Sequence, residues 1–170
     1  MKDIHRKIMK GLLNPPMMLV CGLVLGAAAR FMDIYCENLG EIFSQMTVWI
    51  LLGTLISIYS PTKKAAALNI LPFCLGMLAT YYAVAILTHG VYGESYIIGW
   101  TVFALFSPLL ACIAWMAKQP VMPAKLISIG IVFVSFSINF LMFGSPDVFT
   151  LILNGILIYF LFFKKIPRET

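Results

Sequence analysis

The run GLVLGAAARFMD, Gly22 to Asp33, sets small residues at helical spacing beside the only basic residue that falls inside an apolar segment. At ~100° per residue, Gly22, Gly26, Ala29, Arg30 and Asp33 fall within an arc of about 100°. One helix face therefore combines close-packing residues with a charge. Together with the apolar residues before it, the run reads as the first of several membrane spans, with Arg30 in its outer third.

Composition supports that class for the whole chain. Of 170 residues, 61% are apolar and 11% charged, and the mean hydropathy is +0.95, whereas an ordinary soluble domain carries about 25% charged residues. Crossing a hydrocarbon core takes roughly 17 to 25 apolar residues per helix. The chain has room for six such segments, about 17–32, 42–59, 65–87, 96–117, 124–143 and 148–163, and for no soluble domain beside them. A transmembrane barrel needs short alternating segments, but these runs are continuously apolar. The expectation is an all-α membrane protein, a six-transmembrane-helix bundle forming a single integral domain over 1–170.

Charge gives the orientation. Of the twelve Lys and Arg, all except Arg30 lie at the termini or in or at the edge of the second and fourth loops, on one side of a six-span chain. Asp33, Glu37, Glu41, Glu94 and Asp147, five of the seven acids, lie on the other. By the positive-inside rule both termini are cytoplasmic in a cell membrane. The net charge of +5 then reflects topology rather than nucleic-acid binding.

The amino-terminal stretch with Lys2, Arg6, Lys7 and Lys10 suits a short interface helix on anionic lipid, or simply an orientation signal. Read as a cleavable signal peptide ending near Ala29, it would leave five spans. Pro15 and Pro16 suit a helix start, Ser107-Pro108 a kink, and Gly144 to Asp147 a turn.

Arg30 is costly in a membrane unless it snorkels, pairs or lines a wet cavity. Asp33, one turn on, can pair with it locally. In the alternative, Arg30 and Asp33 belong to an outward-facing pocket for an anionic solute or lipid headgroup, with Asn139 at similar depth and Tyr92, Tyr96 and Trp100 as walls. Tyr35 is a further aromatic there. The Gly22 and Gly26 face suits close docking of a neighbouring helix or of a partner.

Asn69, Phe73, Gly76 and Thr80 share one face of the third span, and Ser128, Ser135 and Asn139 one face of the fifth. Both stripes are expected to point inward. The four cysteines form no CxxC pair, and His5 and His89 lie at opposite membrane faces, so a bis-His haem is excluded. No catalytic constellation, metal-ligand spacing or phosphate-binding loop is present. The chain is thus expected to be no enzyme and to need no cofactor or metal.

The segments GAAARFMD and YSPTKKAAALNILPFCLGMLATYY, between Gly22 and about Val84, resemble a family of small bacterial polytopic membrane proteins known only as a domain of unknown function. That resemblance implies a six-span bacterial membrane protein and no chemistry. In size and span number alone the chain is similar to substrate-binding subunits of energy-coupling-factor vitamin transporters. Two expectations follow: a transport component binding a solute near Arg30, or a non-transporting interaction subunit, immunity factor or regulator that docks a partner helix.

Overall fold

The computed structural model describes residues 11, 13–36, 45–88, 94–144 and 147–166. The amino-terminal basic stretch and the segments holding Glu37, Glu41 and Tyr92 lie outside these. Among the described residues the chain is helical without strands. The helices are α1 (Pro15–Tyr35), α2 (Met46–Tyr59), α3 (Lys63–Leu87), α4 (Glu94–Met116), α5 (Pro123–Phe143) and α6 (Val148–Ile158), the last closing in a π-turn, Tyr159–Phe163.

The starts follow local chemistry. Asn14 accepts from the Met17 amide, with prolines opening α1. Thr62 accepts from the Ala65 amide at α3, and Asp147 from the Thr150 amide at α6. These side chains satisfy amides that have no partner within the helix. Gly144, at φ +77°, ends α5 in the left-handed conformation that favours glycine.

Four helices are long and apolar enough to cross a membrane: α1, α3, and the greater parts of α4 and α5. Of the other two, α2 is shorter than the expected 42–59, while α6 with its π-turn covers the expected 148–163. α2 has 14 residues, about 21 Å of helix, and α6 has 11 before its five-residue π-turn.

The six helices run alternately up and down. Asn69 of α3 donates to the Leu13 carbonyl and to Ser60 Oγ, and the Trp115 indole donates to the Ser60 carbonyl. Lys118 Nζ donates to the carbonyls of Leu161 and Lys164, closing the exposed end of the π-turn. These contacts gather the starts of α1 and α3 with the ends of α2, α4 and α6. At the opposite end Asp33 meets Tyr81, Trp49 stacks edge-on with Trp100 at 6.4 Å, and Gln45 bonds Asp147. Lys63, Lys64, Lys118, Lys125, Lys164 and Lys165 thus belong to one end of the bundle, and Asp33 and Asp147 to the other.

α2 is the hub. Its residues enter both apolar clusters. Trp49 packs with Met18, Phe73, Met77 and Ala104, while Leu51 and Ile58 pack with Ala117, Leu157 and Leu161. The outward faces of the long helices remain apolar and bare: Leu109 is 62% exposed, Phe133 68% and Leu126 72%. The polar stripes face inward as their spacing requires, with Asn69, Ser128, Ser135 and Asn139 all buried.

Candidate functional site

The seam between α1 and α3 is built from glycine. A Cβ on Gly22 would lie 2.1 Å from the Phe73 carbonyl oxygen, and one on Gly26 2.1 Å from that of Met77. Gly76 answers from α3, where a Cβ would stand 2.8 Å from the Leu19 carbonyl oxygen. Any side chain at these positions meets backbone, which cannot swing away. The Gly22 and Gly26 face is therefore occupied by α3 of the same chain. A partner helix using it would have to displace α3.

One turn beyond the glycines, the same seam holds Arg30, only 8% exposed. Its guanidinium pairs with Asp33 at 2.5 Å and lies 3.5 Å from the Tyr81 hydroxyl, which donates to Asp33 at 3.3 Å. The guanidinium carbon also sits 5.5 Å from the Tyr81 ring centre, within cation–π range. Arg30 Nε is buried without a hydrogen-bond partner among the described residues. The charge is thus neutralised locally, with one donor left over.

The remaining residues of the sequence-expected pocket go elsewhere. Asn139 donates to Thr150 Oγ1 at 2.8 Å, on the α5–α6 side of the bundle. Trp100 packs against Trp49 and Phe103. Tyr35 is exposed and stacks on Phe31. Tyr92 lies outside the described residues, and of Tyr96 only the α4 backbone is described. Arg30 and Asp33 are brought together, and Tyr81 joins them.

Sequence reasoning missed a larger feature. A cavity of about 520 Å³ lies between α2, α3, α4 and α5, running from Trp49 and Trp100 toward Ala114 and Ile127. Such volumes suit small-molecule sites, which span roughly 300–1,000 Å³. Leu110, Ile113 and Val134 line it and are about half exposed, so it opens sideways between α4 and α5.

Two of its three lining hydroxyls bond within their own helices, and Thr54 is the third. Ser57 donates to the Gly53 carbonyl at 2.6 Å and Ser107 to that of Ala104 at 2.7 Å, each within its own helix. Apart from Thr54, the cavity wall offers carbon and aromatic surface. Its only sequence signal is small residues, Gly53, Ala104, Ala111 and Gly130, facing one interior, and that requires knowing which helices are neighbours.

Cys21, Cys36, Cys74 and Cys112 are free thiols. No three His, Cys, Asp or Glu side chains gather as a metal site among the described residues. The chain matches no protein-family model, no curated protein and no solved structure. Function must come from the geometry.

Proposed function

We propose that the chain is an integral membrane protein of the cell membrane that crosses the bilayer six times, with both termini cytoplasmic. It holds the apolar chain of a lipid-like molecule between α4 and α5. The carrying observation is the apolar cavity with a lateral mouth. A mouth flanked by exposed Leu110, Ile113 and Val134 would face hydrocarbon, from which a chain enters without crossing water. The bare apolar girdle supports the membrane reading, because patches of that extent do not persist on soluble monomers. Alternation of the helices with lysines at one end supports the orientation.

A second reading rests on Arg30 Nε. A buried donor without a partner suits an anionic solute or headgroup, although Asp33 already offsets the charge. Either ligand would fit a component of a transport system. The alternative is a non-transporting subunit, immunity factor or regulator.

Native mass spectrometry on protein released gently from its membrane separates these readings. At Gly130, which lines the cavity, an added Cβ meets nothing within 4 Å, so Gly130→Trp fills the cavity without forcing backbone apart. The expected result is a retained lipid-mass adduct, lost in Gly130→Trp and kept in Arg30→Ala. Loss in Arg30→Ala alone transfers the function to the Arg30 site. A co-purifying chain with no adduct favours the interaction subunit.

A further inference from the structure

One polar group in the apolar cavity is left open. Thr54, just past the middle of α2, lines the cavity at 4% exposure, and among the described residues its hydroxyl makes no hydrogen bond. Nor is its oxygen sealed by protein as Thr47 Oγ1 is, two turns earlier on the same helix. Ser57 and Ser107 differ, since their hydroxyls turn back to carbonyls of their own helices. Threonine can make the same bond, and Thr54 does not. Because the mouth lies between Leu110, Ile113 and Val134, hydrocarbon rather than water reaches this hydroxyl. Its partner therefore arrives with the occupant.

The shape of the cavity limits that occupant. It follows α4 from Trp100 to Ala114, a rise of about 21 Å. Over that length its 520 Å³ gives a mean section of roughly 25 Å², against roughly 80 Å² for a helix 10 Å across. A single hydrocarbon chain fits, and a partner helix does not. No charged side chain stands among the described residues that line it, so a charged head drawn inside would meet no counter-charge. Trp49, Phe73, Trp100 and Phe103 bring aromatic rings to one end of the cavity. Along α2, Thr54 lies about 7 Å from Trp49 at that end.

We propose that the cavity takes an uncharged lipid whose head oxygen, a carbonyl or a hydroxyl, is held by the Thr54 hydroxyl. The head lies between Thr54 and the aromatic end, and a single chain runs on toward Ile127. This rests on the lipid reading above and names the class of lipid. A quinone ring and the alcohol of a prenol share the required chemistry, because a threonine hydroxyl both donates and accepts. A phospholipid, with two chains and a charged head, meets neither condition.

The test is equilibrium binding of three tritiated compounds, decylubiquinone, 1-decanol and decane, to the full-length protein in detergent, with protein-free micelles as the blank. Saturable binding of decylubiquinone or decanol is expected, with Kd raised several-fold in Thr54→Val and unchanged in Thr54→Ser. The tighter of the two identifies the head as quinone or alcohol. Decane has no oxygen and should bind the parent and both variants alike, which shows the cavity intact. Should Thr54→Val fail to fold, Thr54→Ala removes the same hydroxyl and should raise Kd in the same way. An unchanged Kd for both oxygen-bearing compounds without the hydroxyl overturns the proposal, while saturable decane binding keeps the chain reading. Loss of saturable binding for all three compounds in the parent overturns both.

Discussion

The Thr80 hydroxyl lies 2.7 Å from the Leu23 carbonyl and donates to it across the seam between α1 and α3. That bond forms only because Gly22, Gly26 and Gly76 let the two backbones approach so closely. In a bilayer, where lipid tails are as apolar as leucine, such close packing and interhelical bonding hold helices together.

Gly26→Leu is therefore expected to force α1 from α3, because its Cβ meets the Met77 carbonyl and Thr80 Oγ1. The cost should be about 3 kcal/mol, at the upper end for overpacking. Gly76→Ala should cost less, its nearest contact being 2.8 Å. Thermal unfolding in detergent checks the order, and an unshifted Gly26→Leu midpoint would contradict the seam.

The Arg30–Asp33 pair makes a prediction that does not depend on a ligand. Arg30 is buried while Asp33 is 30% exposed, so removing Asp33 strands the guanidinium at a cost below the ~3–5 kcal/mol of a fully buried pair. Asp33→Ala should accordingly be less stable than the double variant Arg30→Ala/Asp33→Ala. A double-mutant cycle showing no coupling would mean that the two side chains are solvated separately.

Asp147 supplies a pH dependence. Burial pushes its carboxyl up, but hydrogen bonds from Thr150 and Gln45 outweigh this and hold it below the ordinary 3.8. A carboxyl lowered on folding contributes stability that is fully present above its unfolded value and is lost as pH falls through the folded one. Asp147→Asn should thus trail the parent slightly at neutral pH, with the gap closing below about pH 4. Asp147→Ala loses the α6 cap and should cost about 1 kcal/mol even where charge no longer matters. A gap that widens in acid would refute the assignment.

Lys118 ties the α4–α5 connection to the end of α6 through the carbonyls of Leu161 and Lys164. Lys118→Met should release that end. Faster hydrogen exchange is expected at the amides of 161–165, with exchange in α1 and α3 unchanged. Uniform exchange across the chain would instead indicate global destabilisation.

Topology has its own check. Single cysteines replacing Lys64 and Glu94 in a cysteine-free background should label from opposite membrane faces. Labelling from the same face would remove the six-span reading.

Much of the fold is legible in single residues. Asn14, Thr62, Asp147 and Gly144 mark helix ends because capping is a local matter of one side chain and a few amides. The Arg30–Asp33 pair is legible for the same reason, being a contact within one helix. Tyr81 is not, because it is 48 residues from Asp33. Nor is the α1–α3 partnership, since a glycine face announces close approach without naming the helix that approaches.

By itself the sequence determined the class, the helices and the sorting of lysines from acids, since hydropathy, capping and loop charge act over a few residues. Tertiary structure alone decided that α3 covers Gly22 and Gly26, that Asn139 turns to Thr150, and that α4 and α5 part around a cavity. Each of these depends on which surfaces meet. Among helices apolar on nearly every side, the hydrophobic pattern does not choose neighbours; steric fit and the pairing of buried polar atoms do.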